Sequence, residues 1–271
     1  MGRMGLGPVV FHPRPHVTVD DLVLPHGVID RIERHVLGVA RYRTRLRAGG
    51  QHLKRGVLLY GPPGNGKTLT VRYLLGAARE HTILLLTGGA LHFVRPACGL
   101  ARLLEPAIVV LEDVDLVAED RDLSPHGNPF LFDVLNEMDG VADDADVAFV
   151  LTTNRADLLE PALAARPGRV DLAVEIGAPD AHSRRRLMML YGRRLDLVVE
   201  DWDALAARTE GVAASFIKEL LRVATLVALE QQPESDRLTV TETDLERALN
   251  ELLSERSALT RVLLGGDSTV R

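Results

Sequence analysis

The stretch Gly61-Pro62-Pro63-Gly64-Asn65-Gly66-Lys67-Thr68 decides the fold of this 271-residue chain. It follows the apolar run 56–60 and precedes a stretch with a helical pattern that begins at Leu69. In a strand–loop–helix unit of the pattern G-x-x-x-x-G-K-[ST], inward-turned backbone N–H groups and the helix N-terminus together bind phosphate. A simple glycine- and proline-rich turn is the alternative, but the complete pattern and its flanks favour nucleotide binding. We expect Lys67 to contact the β- and γ-phosphates and the Thr68 hydroxyl to ligate Mg²⁺, with all residues from Gly61 to Leu69 lining the nucleotide.

Composition and charge narrow the class of protein. A net charge of -6 argues against a role dominated by nucleic-acid binding, which depends on Lys and Arg at phosphates. Cys98 is the only cysteine, so no intrachain disulfide can form. No apolar run reaches the ~20 residues of a membrane span, and residues 1–16 are broken by prolines and lack the apolar centre of a signal peptide. We therefore expect a cytoplasmic protein with no membrane partner.

Five short apolar runs predict the strands of a parallel sheet that is covered on both faces. Helical patterns alternate with these runs, at about 27–46, from 69, at 97–104 and at about 129–138, and beyond residue 177 we expect helices only. The predicted organisation is a lead-in (1–16), an α/β nucleotide-binding domain (17–177), a helical domain (178–253) and a C-terminal tail (254–271). The predicted strands are 56–60, 82–86, 107–111, 147–151 and 172–176, and the predicted helices of the second domain are 180–194, 202–208, 214–229 and 241–253.

Polar side chains follow the third and fourth predicted strands. Glu112 and Asp113 end strand three, and Asn154 follows strand four. Carboxylates at this edge, beside a phosphate-binding loop, are placed to hold a metal ion and to activate water, although a lone acidic cluster is often only a solvated turn. Arg166 and Arg169 lie on a following turn, where guanidinium groups can contact a phosphate or simply face solvent.

Together these residues make the chain resemble an AAA+ ATPase of the AAA subfamily, of the bacterial cell-division-cycle-48-like kind. The resemblance spans roughly residues 17 to 253. It is carried by GVLLYGPPGNGKT (56–68), IVVLEDVD (108–115), NEMDG (136–140), TTN (152–154) and EPALAARPGRVD (160–171), and in the helical domain by TEGVAASFIKELLRVA (209–224) and VTETDLERAL (240–249).

The resemblance implies a five-stranded parallel sheet of order 5-1-4-3-2, a C-terminal helical lid, and a ring oligomer, usually a hexamer, with ATP between subunits. Glu112 and Asp113 correspond to the Walker B pair, with Glu112 joining Thr68 at the metal, and Asn154 corresponds to sensor 1. Arg166 and Arg169 correspond to arginine fingers that act on the nucleotide of the neighbouring subunit.

Three features depart from the family pattern. The Walker B pair has glutamate before aspartate, the reverse of the usual order, so the division of roles between Glu112 and Asp113 is open. Ala164-Ala165 adds one residue before the arginine turn, and Phe93-Val94-Arg95 stands where the central pore loop is expected. Phe93 is a candidate for gripping a substrate, with a core phenylalanine as the alternative.

The leading hypothesis is therefore an ATP-hydrolysing ring that remodels or unfolds proteins, through a protein substrate or adaptor that the sequence does not identify. The alternatives are a nucleotide-gated assembly scaffold with little turnover, suggested by the reversed Walker B pair, and a nucleic-acid-directed motor. The acidic net charge and the lack of a basic and aromatic stripe count against the motor.

Overall fold

The computed structural model describes residues 9–115, 134, 136–155, 170–231 and 238–263, the last nine of these by their backbone alone. The chain divides into two compact units, Met1–Gly177 and Ala178–Arg271. Within the described residues, no helix combines the length and the apolar character needed to cross a bilayer.

The first unit is built on five parallel strands in the order β2-β3-β4-β1-β5. This confirms the predicted order, read from the opposite edge. The strands are β1 (Arg55–Tyr60), β2 (Thr82–Thr87), β3 (Ala107–Glu112), β4 (Val147–Thr153) and β5 (Leu172–Glu175).

Both faces of the sheet are buried at the three central strands, β1, β3 and β4, which is why these strands are continuous apolar runs. Successive side chains of a strand point to opposite faces. In β3, Val109 and Leu111 pack in one core cluster with Phe149, while Ile108 and Val110 pack in the cluster on the other face. The three central strands are thereby fixed in position, and their carboxyl ends meet at one edge of the sheet.

Helices cover the two faces. The predicted amphipathic helix between 27 and 46 consists of α1 (Val28–Glu33), a π-helical segment (Arg34–Gly38) and α2 (Val39–Ala48). The phosphate-binding loop leads into α3 (Lys67–Ala77). After β2, a 3₁₀ segment (Gly88–Phe93) leads into α4 (Val94–Leu103), which begins before the predicted start at residue 97. Of the predicted helix between 129 and 138, only 134 and 136–138 lie within the described residues, and they are helical.

The extended chain before residue 17 packs on the α/β unit. Arg14 donates hydrogen bonds to the carbonyl oxygens of Leu75, Ala78 and His81 at the C-terminal end of α3, at 3.1, 2.7 and 2.7 Å. A Cβ added at Gly76 would lie 2.7 Å from the carbonyl oxygen of Pro15, so only glycine permits this close approach. Residues 14 and 15 therefore belong structurally with the domain that we expected to begin at residue 17.

The second unit contains the helices α5 (Ala181–Tyr191), α6 (Trp202–Arg208), α7 (Ala214–Gln231) and α8 (Glu242–Leu263). Helix α8 ends at Leu263, beyond the predicted end at residue 253. The carboxylates of Asp180 and Asp201 accept backbone hydrogen bonds at the N-termini of α5 and α6, as N-cap residues do.

The expectation of helices alone in this unit is wrong. The strands β6 (Asp196–Val198) and β7 (Thr239–Thr241) pair in parallel, with Leu197 opposite the buried Val240. A three-residue strand is too short to show the alternation of apolar and polar residues by which strands are recognised. The pairing is also nonlocal, so no turn signal announces it.

Candidate functional site

The phosphate-binding loop runs from β1 to α3 in a conformation that its glycines permit. Gly61, Gly64 and Gly66 have φ angles of 134°, 79° and 104°, which L-residues with side chains rarely adopt. At Gly61 space is restrictive too, because an added Cβ would lie 2.4 Å from the carbonyl oxygen of Ile176. The glycines thus shape a loop whose Pro62, Pro63 and Gly64 are exposed and whose Asn65 is buried.

Lys67 is buried at the start of α3, with its ammonium group held over the loop. Its Nζ donates to the carbonyl oxygens of Gly61 at 2.7 Å and Pro62 at 2.9 Å. Burial lowers the pKa of Lys67, while the carboxylates of Asp113 and Asp115 act in the opposite direction. The positive charge therefore lies between the loop and the acidic edge of the sheet, where a phosphate chain would neutralise it.

Glu112 is the last residue of β3 and lies next to the loop. The Thr68 hydroxyl at the start of α3 donates a hydrogen bond to its carboxylate. Burial raises the pKa of Glu112, the charge of Asp113 adds to this rise, and the Thr68 contact and Arg72 oppose it. Within the described part of the chain, the buried Oε1 of Glu112 has no hydrogen-bond partner. A half-buried carboxylate with one buried oxygen that has no partner is well suited to a cation.

Asp113 has a left-handed backbone conformation, with φ at 51°. Its N–H donates to the Thr152 hydroxyl on β4 at 2.9 Å, which holds the strained residue in place. Burial raises the pKa of Asp113 and the charge of Asp115 raises it further, whereas Lys67 lowers it. Asp113 therefore faces both Lys67 and Asp115, while Glu112 contacts Thr68.

Asn154 is oriented by a residue to which we gave no role in the sequence. Both its backbone N–H and its side-chain Nδ2 donate to Asp115, at 3.1 Å to Oδ1 and 3.2 Å to Oδ2. Asp115 is only 4% exposed, so this is a buried carboxylate with a defined partner. Its place two residues after Asp113 was visible in the sequence, but its pairing with β4 was not.

The structure thus brings Lys67, Thr68, Glu112, Asp113 and Asn154 to one edge of the sheet. Arg166 and Arg169 lie outside the described residues, so their assignment as arginine fingers stays a prediction. Phe93 ends the 3₁₀ segment and is 40% exposed, and Arg95 forms an ion pair with Glu137 at 3.6 Å. The pore role of Phe93 also stays a prediction.

Residues 57–178 match the profile of the family "ATPase family associated with various cellular activities (AAA)". The chain is 32% identical over 277 aligned positions to the ATP-dependent zinc metalloprotease FtsH 3 of Sphaerobacter thermophilus, covering 97% of this chain and 55% of that protein. It is 30% identical over 264 positions to the proteasome-activating nucleotidase of Pyrococcus horikoshii, covering 92% and 65%.

A third relative is the 26S proteasome regulatory subunit 6A of Encephalitozoon cuniculi, 28% identical over 218 positions that cover 75% of this chain and 53% of that protein. The chain thus spans between about half and two thirds of the length of these curated relatives. The finer likeness to cell-division-cycle-48 proteins stays a prediction. The family match covers the loop, the acidic edge of the sheet and the strands that carry them, so through this domain the chain belongs to the AAA+ ATPases.

Proposed function

We propose that this chain hydrolyses ATP in a ring oligomer and couples hydrolysis to the unfolding or remodelling of a protein substrate. The observation that carries the proposal is the arrangement of Lys67, Glu112, Asp113 and Asn154 around one phosphate-binding loop. Support also comes from the relatives, whose names describe an ATP-dependent zinc metalloprotease, a proteasome-activating nucleotidase and a proteasome regulatory subunit. A hexameric ring, a cytoplasmic location, and a protein rather than a nucleic acid as the partner are parts of the same proposal.

The donor set fits a magnesium–nucleotide complex. Mg²⁺ prefers hard oxygen ligands and commonly takes one or two side-chain oxygens together with phosphates and water. Thr68 and Glu112 would hold it, because they are already in contact and Glu112 has a buried oxygen without a partner. The bound ion would neutralise charge on the β- and γ-phosphates.

The chain's own residues have distinct tasks in this proposal. The Lys67 ammonium pairs with the phosphate charge. Asp113 accepts a hydrogen bond from the attacking water and orients it. Asn154 gives one Nδ2 hydrogen to Asp115, so its second hydrogen and its Oδ1 are available to the γ-phosphate and the water. Because Asp115 holds the amide, Asn154 need not be reoriented in each catalytic cycle.

The site is complete only with a neighbour, since Arg166 and Arg169 are proposed to act in trans. We expect phosphate release per subunit to rise with protein concentration as subunits assemble, measured alongside light scattering.

The sharper test mixes two inactive variants. Arg166→Ala/Arg169→Ala retains an intact nucleotide site, and Asp113→Asn retains the arginines. Mixed rings should recover activity, whereas a concentration-independent rate with no recovery on mixing would contradict the composite site.

The zinc protease activity in the name of the first relative is not part of the proposal. The 271 residues contain no H-E-x-x-H pattern, with which zinc proteases bind their metal. What the similarity supports for this chain is the ATP-dependent part of that protein.

A nucleotide-gated scaffold with little turnover is the second candidate, and it is favoured by the reversed Glu112–Asp113 pair. The shorter Asp113 has less reach toward a water molecule than the usual glutamate, and a shift of about 1 Å can slow catalysis about 100-fold. Measuring particle size with and without ATP, in parallel with phosphate release, separates the two functions. ATP-dependent assembly without turnover would favour the scaffold.

A further inference from the structure

The helical segment before β1 carries a hollow whose lining contains no residue of the phosphate-binding loop. It has a volume of about 390 Å³. We call it the basic hollow. The residues that line it share one face of the π-helical segment and α2, and they are Arg34, Gly38, Val39, Tyr42, Arg45 and Leu46. An arginine thus lies toward each end, with apolar side chains and a glycine between them.

The charge around the basic hollow is opposite to that of the chain as a whole. Residues 34–47 contain five arginines and no acidic residue, in a chain of net charge -6. All five arginines are exposed. Arg47, outside the hollow, lies 3.7 Å from Glu105, but within the described part of the chain no ion pair joins Arg34 or Arg45 to a carboxylate. The two arginines of the hollow are therefore open to an external acidic group.

Gly38 lines the hollow, although neither its backbone conformation nor its neighbours require a glycine at this position. It has ordinary helical dihedral angles, φ -66° and ψ -36°. An added Cβ would meet only Arg34 Cγ at 3.8 Å and the Glu33 carbonyl oxygen at 3.9 Å, which are normal contacts. Glycine destabilises a helix relative to alanine. Its effect here is to leave space between Arg34 and Tyr42, the latter 53% exposed.

We propose that the basic hollow binds an acidic peptide segment of a partner protein, in which an apolar side chain is flanked by carboxylates. Arg45 follows Arg34 by eleven positions along the helical segment, a distance of at most about 16 Å at 1.5 Å per residue. About five extended residues cover that distance. The apolar side chain fills the space above Gly38, against Val39, Tyr42 and Leu46, while the carboxylates pair with the arginines.

A peptide fits this surface better than a nucleic acid does. Single-stranded nucleic acids are bound by several stacking aromatic rings along a basic groove. The hollow offers one aromatic ring, Tyr42, and an otherwise aliphatic floor. The apolar centre of the hollow therefore suits an apolar peptide side chain that is flanked by carboxylates. The proposal does not depend on ATP hydrolysis, so it can fail while the proposed function stands.

The test measures fluorescence anisotropy of a labelled peptide, DELFED, with the full chain at 0.15 M salt. Arg34→Glu/Arg45→Glu should raise its Kd at least tenfold. Arg41→Glu/Arg43→Glu makes the same change in charge on exposed arginines outside the hollow and should raise it less than threefold. Gly38→Leu should raise the Kd of DELFED at least fivefold, because the leucine side chain fills the hollow. The peptide DESSED has the same charge but no apolar residue, so it should bind more weakly to the wild type, and Gly38→Leu should leave its Kd unchanged.

Circular dichroism and the basal ATPase rate check that each variant is folded. Gly38→Ala adds only one methyl group to the hollow and serves as a second variant if Gly38→Leu does not fold. Three results would overturn the proposal. They are no saturable binding of DELFED, equal weakening by the two double arginine variants, and tighter arginine-dependent binding of an eight-residue thymidine oligonucleotide than of DELFED.

Discussion

Asp115 accepts two hydrogen bonds from Asn154 and is buried at the carboxyl edge of the sheet. We predict that Asp115→Ala lowers kcat for ATP about tenfold or more, because the Asn154 amide loses its fixed orientation and small errors in position are costly in catalysis. The Kd for ATP should change less than threefold, since the hydrogen bonds that Asp115 accepts come from Asn154 and the phosphates are held by the loop and Lys67. Phosphate release and nucleotide fluorescence titration measure the two quantities.

The control uses a carboxylate that precedes β4, and the coupling test uses Asn154, the partner of Asp115. Asp143→Ala removes an exposed carboxylate that pairs with Lys54, and it should leave both quantities unchanged. If Asp115 acts through Asn154, the double variant Asp115→Ala/Asn154→Ala should be no slower than Asn154→Ala alone. Additive losses would mean that Asp115 does not act by positioning Asn154.

At this scale the sequence predicted the site's local parts and missed its nonlocal contacts. The phosphate-binding loop is recognisable because eight consecutive residues determine its shape and charge. The left-handed conformation of Asp113 and the Asp115–Asn154 pair depend on how β3 lies beside β4. Asp115 and Asn154 are 39 residues apart, and a single sequence gives no signal of such a contact.

At the scale of the elements, the C-terminal end of α3 is capped by hydrogen bonds from a residue of the extended N-terminal chain. Arg14 donates to three carbonyl oxygens there, where a positive charge also interacts favourably with the helix dipole. We predict that Arg14→Ala destabilises the protein by about 1.5–3 kcal/mol, the range for hydrogen bonds to a charged group. Chemical denaturation measures the change in the free energy of unfolding.

Arg79→Ala is the matched control for Arg14→Ala. Arg79 lies just after α3 and is exposed, so its replacement removes the same charge from the same region. We expect a change within about 0.5 kcal/mol, as for most surface substitutions. Equal destabilisation by both variants would show that charge alone, and not the hydrogen bonds of Arg14, stabilises the end of α3.

The long, buried strands could be predicted from the sequence, and the three-residue strands could not. The runs that became β1, β3 and β4 are continuous and apolar because both faces of the sheet are covered there, whereas β2 lies at the sheet edge and is partly exposed. By contrast, β6 and β7 are three residues each and gave no pattern. The π-helical segment was also beyond prediction, and its Val36 carbonyl oxygen accepts from the buried Arg55 at 2.8 Å, which is a contact with another element.

For the folded unit as a whole, stability should depend on pH through His81. His81 is 7% exposed, and within the described residues neither ring nitrogen has a hydrogen-bond partner. Burial lowers its pKa, the charges of Arg55 and Arg14 add to this, and Asp146 and Glu80 oppose it. As pH falls below about 6.5, the unfolded chain therefore binds this proton before the folded chain does, and the free energy of unfolding decreases.

We predict that His81→Phe flattens this decrease between pH 7.5 and 5.5. One proton contributes at most about 1.4 kcal/mol per pH unit. Urea denaturation at the two pH values, for the wild type and the variant, measures the difference. His26→Phe, a replacement of an exposed histidine, should leave the wild-type pH dependence intact. If His81→Phe loses as much stability on acidification as the wild type, His81 is not the source of the effect.

At the scale of the whole molecule, we propose that this chain holds one half of a shared catalytic site and that a neighbouring subunit supplies the other half. In this proposal Asp113 orients the attacking water, despite the reversed order of the pair. Asn tolerates the left-handed conformation that Asp113 adopts, so Asp113→Asn changes the charge without new backbone strain.

The decisive measurement is the steady-state rate of phosphate release from ATP by Asp113→Asn, together with its Kd for ATP. We predict a Kd within about threefold of the wild type and a kcat lower by about 100-fold or more, the contribution typical of such a group. Asp143→Asn, the same change at an exposed position, should behave as the wild type does. Turnover by Asp113→Asn at the wild-type rate would contradict the account.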